Sequence, residues 1–218
     1  MKQENFETQQ VDTKQRILDA AEHLFAHEGF KGTSLRDVTG RAGVNLAAVN
    51  YHFGSKEALL RAVMERRLIP LNQVRIERIT KVRDSALQKG QRPPVKELLR
   101  AFIEPTLQFK ESSPGAEDFV ALVGRSFSDP DDTVRNVFMK LIWPLFQLIF
   151  ETFHEALPEL SEKTLLWRLH FMFGAFSQTM HICCGRFHSD TIKMPLENDS
   201  KTIISMFIPF ITAGMHAK

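Results

Sequence analysis

The chain contains 218 residues, of which 43% are hydrophobic and 25% charged, and its formal net charge at pH 7 is +2. This composition is typical of a globular protein that buries its own core, and it excludes a disordered or fibrous chain. Residues 68–110 carry 9 Lys and Arg against 4 Asp and Glu, whereas residues 111–218 carry 9 against 13. This basic excess in the N-terminal half is compatible with phosphate contact at one end of the molecule.

The two cysteines, Cys183 and Cys184, are adjacent in the sequence. Adjacent cysteines rarely form a disulfide, and no spacing of Cys and His matches a metal site, so we expect a reducing cytoplasm. The N-terminus is polar, and no stretch reaches the length of an apolar membrane span. We therefore expect a cytoplasmic protein without a membrane partner.

The first predicted elements are a flexible tail over residues 1–10 and a helix that begins at Asp12 or Thr13 and ends at Gly29. The helix is predicted because apolar residues recur at helical spacing. These residues are Ile17, Ala20, Ala21, Leu24 and Phe25.

Two short helices are predicted next. Thr33 or Ser34 caps the first of them, which ends at Ala42 before Gly43, and Asn45 caps the second. Ser55 caps a longer helix that extends to about residue 87. Two short helices joined by a glycine turn are typical of a helix-turn-helix, here residues 34–53.

Helical spacing also divides residues 45–56 into buried and outward positions. Val44, Val49 and Phe53 are predicted to anchor the motif. Small outward residues allow close approach to a DNA groove, and amide side chains can bond base edges. The outward residues are Asn45, Leu46, Ala47, Ala48, Asn50, Tyr51 and His52, followed by Lys56 as a phosphate partner.

The rest of the chain is also predicted to be helical. Helices are expected over residues 95–110, 117–127, 130–157, 161–184 and 200–215, with bends at Pro105, Pro144 and Pro209. Residues 112–115 and 185–198 are expected to be loops. The fold class is therefore all-α, with about nine helices.

The segments Gly29-Phe-Lys-Gly-Thr-Ser-Leu-Arg-Asp-Val, Ala42-Gly-Val-Asn and Val49-Asn-Tyr-His-Phe-Gly-Ser-Lys-Glu-Ala-Leu-Leu resemble the DNA-binding domain of the TetR family. The resemblance implies a DNA-binding domain at 11–58 and an effector and dimerisation domain at 59–218. It also implies a homodimeric regulator, expected to be a repressor, that associates with the nucleoid when bound to DNA.

The same resemblance implies roles for individual residues. Thr33 and Arg36 would contact the DNA backbone next to Ser34, and Tyr51, His52 and Lys56 would hold phosphates. Residues 45–50 would face bases. Asn45-Leu-Ala stands where many members of the family have Ser-x-Gly or Ser-x-Ala, so base preferences do not transfer.

The C-terminal half is rich in phenylalanine: 11 of the 18 Phe residues lie between Phe102 and Phe176. The long helix over 130–157 carries more apolar residues than one buried stripe needs. The prediction is either a solid core or a dry cavity for a hydrophobic small molecule. The candidate ligand-binding residues are Phe102, Phe119, Val123, Phe127, Phe138, Leu141, Phe146, Phe150, His170, Phe173 and Phe176.

Three segments of this half resemble the PsrA-type subgroup of the TetR family, which responds to long-chain fatty acids or their derivatives. They are Ala121-Leu-Val-Gly-Arg-Ser-Phe-Ser, Leu166-Trp-Arg-Leu-His-Phe-Met-Phe-Gly-Ala and Ile208-Pro-Phe-Ile-Thr-Ala-Gly-Met. The resemblance implies a fatty acid or acyl-CoA effector, with another aromatic or lipophilic small molecule as the alternative.

The last two predicted helices carry apolar residues on wide faces. In the family such a pair forms a four-helix bundle with its symmetry mate, and the dimer places two recognition helices about 34–36 Å apart on a palindromic operator. The alternative is that these faces belong to the core of one chain. The candidate interface residues are Leu165, Leu169, Phe173, Phe176, Ile203, Phe207, Phe210 and Ile211.

Other site classes find little support in the sequence. His170, His181 and His188 near the two cysteines fit no ligand spacing, so no metal is expected. Gly124-Arg-Ser-Phe-Ser128 lacks the second glycine of a nucleophile elbow, and no catalytic residue or cofactor is predicted. The alternative to a regulator is a helical lipid-binding carrier that does not read DNA.

Overall fold

A computed structural model describes residues 2–112, 115–125, 132–183 and 199–217 of the chain. Within these ranges it contains ten helices and no strand, which confirms the all-α class. The helices are α1 (Lys2–His27), α2 (Gly29–Gly32), α3 (Leu35–Ala42), α4 (Leu46–Phe53), α5 (Lys56–Leu87), α6 (Val95–Ser112), α7 (Ala116–Arg125), α8 (Asp132–Ala156), α9 (Glu162–Cys183) and α10 (Ser200–Met215).

The structure differs from the predicted elements mainly near the N-terminus. α1 begins at Lys2 and so includes the residues predicted to form a tail, whose flexibility stays a prediction. The additional helix is α2, a single turn that begins at Gly29, whose φ is 80°. Pro130 and the predicted loop at 185–198 lie outside the described residues.

Four prolines lie inside helices, at Pro70, Pro105, Pro144 and Pro209. Each of these helices is a single element on both sides of its proline. A proline removes one backbone hydrogen bond, but apolar packing of a long helix can compensate for that loss.

The described helices form two compact units, Met1–Leu68 with Pro114–Leu141 and Ile69–Ser113 with Ile142–Lys218. Two of the three boundaries therefore fall inside helices, in α5 and in α8, and the third lies between α6 and α7. In the first unit α1 is the central element, because α2, α3, α4 and α7 all pack against it. In the second unit α10 packs against α6 and α9.

The core of the first unit explains why its short helices are stable. Ile17, Ala21 and Phe25 of α1 are fully buried, and Val38 of α3 and Val49 of α4 are buried with them. An isolated eight-residue helix is marginal in water, so these anchors supply the stability that α3 and α4 lack on their own.

A buried ion-pair cluster holds α5 to α1 within the same unit. Glu22 of α1 is 2% exposed and accepts hydrogen bonds from Arg66 and Arg67 of α5. Burial raises the pKa of the Glu22 carboxyl, although the two guanidinium groups act to lower it. The cluster therefore joins α5 to α1 by charge-assisted hydrogen bonds.

Candidate nucleic-acid interface

Ser34, one of the two residues that the sequence offers as the cap of α3, is its N-cap and forms a capping box with Asp37. The Ser34 hydroxyl accepts from the backbone N–H of Asp37 at 3.2 Å, and the Ser34 N–H donates to the Asp37 carboxylate at 2.7 Å. These bonds lower the pKa of Asp37, with a further contribution from Lys56. The box satisfies backbone donors that a helix start leaves unpaired.

The backbone conformation of the turn between α3 and α4 requires a glycine. Gly43 has a φ of 63°, which L side chains rarely adopt. A Cβ atom at this position would also lie 2.7 Å from Nη2 of Arg16.

Arg16 of α1 holds this turn in place. Its Nη2 donates to the carbonyl oxygens of Ala42 at 2.5 Å and Gly43 at 3.0 Å. These two carbonyls have no partner within α3, because the helix has ended. Sequence reasoning missed this role, since Arg16 lies 26 residues before Ala42 and no local spacing connects them.

α4 presents its polar and small residues to solvent. Asn45 is its N-cap, and the side-chain oxygen accepts from the Ala48 N–H at 2.9 Å. Because this bond uses the oxygen, the amide –NH2 remains available as a donor to a base or phosphate. Val49 is 1% exposed and faces the core, whereas Tyr51 is 75% exposed.

Most of the predicted DNA-binding residues are accessible to solvent in the structure. Ser34, Arg36, Asn45, Leu46, Ala47, Asn50 and Tyr51 are exposed, and Ala48, His52 and Lys56 are partly exposed. The rings of Tyr51 and His52 lie 5.1 Å apart, and Nζ of Lys56 lies 4.3 Å from the centre of the Phe30 ring.

Thr33 is the exception among these residues. Its side chain is 1% exposed, and its hydroxyl donates to the Gly29 carbonyl at 2.9 Å. The hydroxyl closes the turn of α2 and is directed inward, so we do not retain the predicted contact of this side chain with the DNA backbone.

A second feature of the first unit joins α1 to α7. His23 Nδ1 and His27 Nε2 lie 2.8 and 2.7 Å from the two oxygens of Asp118. These three side chains are of types that bind metals, and their ligand atoms lie within 4.8 Å of one another. In the structure both carboxylate oxygens are hydrogen-bonded, and the absence of a metal stays a prediction. The spacing of His23 and His27 on one helix face was the available signal, but no local pattern identifies Asp118.

The predicted ligand-binding residues are divided between the two units. Phe119, Val123, Phe138 and Leu141 belong to the first unit, whereas Phe102, Phe146, Phe150, His170, Phe173 and Phe176 belong to the second. Phe127 lies outside the described residues.

Four phenylalanines of the second unit form an aromatic cluster. The Phe102 ring lies 5.4 Å from Phe173 and 5.8 Å from Phe176, and Phe146 lies 5.8 Å from Phe173. Phe146 and Phe173 also line an open groove of about 600 Å³, whose other lining residues are Glu162, Lys163, Leu166, Trp167 and His170. Phe150 stacks on His154 instead of joining this cluster.

The predicted dimer residues are mostly buried within one chain. Leu165 and Leu169 are fully buried, and Phe176, Ile203 and Ile211 are at most 7% exposed, because α6 and the neighbouring helices cover these faces. Phe173 and Phe207 are partly exposed, and Phe210 is exposed. The large apolar side chains exposed on α9 and α10 are Leu166, Trp167, Phe171, Met206 and Phe210.

Two family models match the chain. Residues 17–63 match bacterial regulatory proteins of the tetR family, and residues 100–214 match the tetracyclin repressor-like C-terminal domain. A capped, exposed helix that follows a glycine turn on a small helical base defines a DNA-binding regulator of the helix-turn-helix class. Within this class the chain belongs to the TetR family of transcriptional regulators.

Local similarity to other regulators agrees with this assignment. The chain is 42% identical over 50 residues to the probable regulator YttP of Bacillus subtilis, which covers 23% of this chain and 24% of YttP. It is 40% identical over 60 residues to the regulator SrpR of Pseudomonas putida, which covers 28% of each chain. The matches therefore span about a quarter of the length of these relatives.

Solved structures extend the likeness of the fold over nearly the whole chain. FadR from Bacillus subtilis, in complex with stearoyl-CoA, has a TM-score of 0.67 at 13% identity and covers 93% of this chain and 99% of its own. FadR from Bacillus halodurans has a TM-score of 0.65 at 14% identity and covers 94% and 97%. At such identities the likeness concerns the fold alone.

Within the described ranges, no helix has both the length and the apolar character needed to span a bilayer.

Proposed function

We propose that this TetR-family protein is a repressor that binds a palindromic operator as a homodimer and is released by a hydrophobic effector, a long-chain fatty acid or its CoA thioester. The single observation that carries the proposal is the surface of α4. Asn45, Leu46, Ala47, Asn50 and Tyr51 are all exposed there, while Val49 anchors the helix from behind.

The side chains of α4 suit the major groove. Ala47 and Ala48 are small enough for close approach of the helix to the bases, and the amide of Asn50 can bond both donor and acceptor atoms of adenine. Tyr51, His52 and Lys56 would hold the DNA backbone and set the position of the helix. Base contacts through Asn45 and Asn50 would then give sequence preference.

Three observations support a hydrophobic acyl effector. The first is the aromatic cluster of the second unit and the groove that its members Phe146 and Phe173 line. The second is the sequence resemblance to PsrA-type regulators. The third is the likeness of fold to FadR, whose crystal structure contains stearoyl-CoA.

Release of DNA by the effector needs a difference in effector affinity between the free and the DNA-bound protein. A coupling free energy of about 1–3 kcal/mol would weaken operator binding by about 5- to 150-fold. By thermodynamic linkage, operator DNA would weaken effector binding by the same factor. Both measurements therefore test one quantity.

The proposal is tested by selecting bound sequences from a random duplex library and measuring affinity for the enriched operator by fluorescence anisotropy. We expect a palindromic sequence and a loss of at least about tenfold in affinity for Tyr51→Ala and Lys56→Ala, because phosphate contacts are removed. Lys89→Ala, an exposed lysine of the second unit, is the matched control and keeps the affinity of the wild type.

The same operator then tests the effector. Stearate and stearoyl-CoA are titrated into the protein–DNA complex, and we expect release of DNA by at least one of them. If the library yields no enriched sequence while acyl ligands bind, the protein is a helical lipid carrier. If an operator is found but neither ligand affects it, the acyl effector is wrong and the DNA-binding function stands.

A further inference from the structure

Arg75 of α5 is a buried cation inside the second unit. Its side chain is 4% exposed. Nη1 donates to the Asn72 side-chain oxygen at 2.9 Å, and Nη2 donates to the Thr106 hydroxyl. Nε is buried and makes no hydrogen bond in the structure. The guanidinium carbon lies 4.8 Å from the centre of the Phe102 ring.

Both hydrogen-bonding partners of Arg75 are neutral. Among the residues that the structure describes, no carboxylate forms an ion pair with it. Other arginines of the same unit are paired: Arg83 with Glu155 at 2.5 Å, and Arg78 with Glu104 at 3.9 Å. Arg75 is thus more deeply buried than these arginines and lacks the counterion that they have.

An uncompensated buried cation is costly. Transfer of a charge from water into a protein interior destabilises the folded state unless an opposite charge accompanies it. Burial lowers the pKa of Arg75 to about 9, with no neighbouring charge acting in the opposite direction. A neutral apolar side chain would be the more stable choice, so the charge itself points to a function.

One edge of the guanidinium group is incompletely hydrogen-bonded. Nε and Nη2 form the side of a guanidinium that binds both oxygens of a carboxylate. Here Nε is unpartnered and Nη2 holds only the neutral hydroxyl of Thr106. An oxyanion on this edge would satisfy Nε, replace a neutral partner by a charged one and neutralise the buried charge.

The surroundings of Arg75 indicate the rest of the ligand. The Phe102 ring against which it lies contacts Phe173, which in turn contacts Phe146, and the last two line the groove. Ring contacts through Phe102 therefore connect the groove with the guanidinium. A molecule that binds both the aromatic rings and the guanidinium would carry an apolar chain and an oxyanion.

We propose that Arg75 is the binding site for the oxyanion of an acidic amphiphile, which lies with its apolar chain on the Phe102–Phe173–Phe146 cluster. The inference rests on the proposed function, because this amphiphile is the effector of the regulator. The oxyanion is the carboxylate of a free fatty acid or a phosphate group of an acyl-CoA. Thr106 is the hydroxyl that the oxyanion displaces from Nη2.

The test compares three acyl ligands that differ in the head group, together with coenzyme A, which lacks the acyl chain. Stearate, methyl stearate, stearoyl-CoA and coenzyme A are titrated below their aggregation limits, with the fluorescence of Trp143 and Trp167 as the readout. Charge-assisted hydrogen bonds predict that the wild type binds stearate, stearoyl-CoA or both about 10- to 100-fold more tightly than methyl stearate. We expect Arg75→Met to reduce that preference to less than threefold and Arg75→Lys to give an intermediate value.

Arg78→Met is the matched control, because Arg78 lies one turn along α5 and is exposed. We expect this variant to keep the wild-type preference for the charged ligands over methyl stearate. Loss for stearate identifies the carboxylate as the oxyanion, and loss for stearoyl-CoA alone identifies the phosphate. Thermal unfolding shows whether Arg75→Met is folded. Because the substitution removes an unpaired buried charge, we expect its unfolding temperature to equal that of the wild type or to be a few degrees higher.

Three outcomes overturn the inference. The first is an equal affinity of the wild type for stearate, stearoyl-CoA and methyl stearate. In that case the effector is still hydrophobic, but Arg75 does not bind an oxyanion of it. The second is an unchanged preference in Arg75→Met. The third is no binding of any ligand, and that outcome rejects the acyl effector of the proposed function as well.

Discussion

At the scale of single residues, Gly43 and Arg16 together determine the shape of the helix-turn-helix. The backbone of Gly43 is left-handed, and its missing side chain leaves room for the Arg16 guanidinium that binds two carbonyls at the end of α3. A side chain at this position would be strained by the backbone conformation and would displace the end of the Arg16 side chain.

We predict that Gly43→Ala lowers the free energy of unfolding by about 1–3 kcal/mol, because L residues are strained at positive φ. Gly40→Ala is the matched control within α3. Its Cβ would have no atom within 4 Å, and alanine is favoured over glycine in a helix, so stability should rise by about 0.5–1 kcal/mol. Urea unfolding followed by circular dichroism measures both changes, and equal effects of the two substitutions would contradict this account.

The capping residues were predictable from the sequence for a simple reason. Ser34 with Asp37, and Asn45 with Ala48, bond to backbone groups three residues away, so the interaction is contained in a short pattern. Arg75 and Arg16 were not predictable. Their environment is set by residues 31 and 26 positions away, and a lone arginine in a helix gives no sign of burial.

At the scale of helices, the sequence predicts that α7 is helical but does not predict which helix it packs against. The sequence predicts a helix over 117–127, and the structure has one at Ala116–Arg125. Its position against α1 depends on Phe119 and Val120, which are buried, and on Asp118 with the two histidines of α1. α7 therefore belongs to the compact unit that contains the helix-turn-helix.

We predict that Asp118→Asn destabilises the protein by about 1 kcal/mol, because the amide cannot accept from both imidazoles with the strength of a carboxylate. The value is at the low end because all three side chains are partly exposed. Asp84→Asn, the same substitution at an exposed position of α5, should change stability by less than about 0.5 kcal/mol. Thermal unfolding of the two variants side by side gives the comparison, and no difference between them would show that the carboxylate does not hold α7.

In α9 and α10, the spacing of apolar residues does not determine which face of the helix is buried. Both helices are apolar on most of their circumference, so several faces satisfy the spacing of a buried stripe. Leu165 is fully buried and the adjacent Leu166 is 44% exposed, a difference that no sequence pattern contains. The residues predicted for the dimer interface are therefore largely core residues, and we place the proposed interface on the exposed apolar side chains instead.

At the scale of the whole molecule, the proposed homodimer follows from these exposed side chains. Phe171 of α9 is 64% exposed and Phe210 of α10 is 70% exposed, in helices that pack against each other. Large exposed aromatic residues are typical of interaction surfaces. Two copies of one chain would present two recognition helices to a palindrome.

We predict that Phe171→Asp and Phe210→Asp each weaken dimerisation by at least about 2 kcal/mol, or about 30-fold in Kd, because a charge replaces a buried aromatic anchor. Leu87→Asp, at an exposed apolar position at the end of α5, is the control and should leave the dimer intact. Sedimentation velocity over a concentration series measures the effect. An interface elsewhere is indicated if both phenylalanine variants remain dimeric at the wild-type Kd.

The sequence by itself determined the all-helical class, the helix-turn-helix at residues 34–53 and the outward face of α4, because caps, turns and a single amphipathic face are encoded within a few residues. Membership of the TetR family rests on the same local patterns. Only the tertiary structure decided that Thr33 faces inward, that Arg16 and Asp118 hold distant elements, which faces of α9 and α10 are covered, and that Arg75 is a buried cation. Burial and charge pairing depend on residues far apart in the chain, and no local spacing specifies which of several apolar or charged positions will meet them.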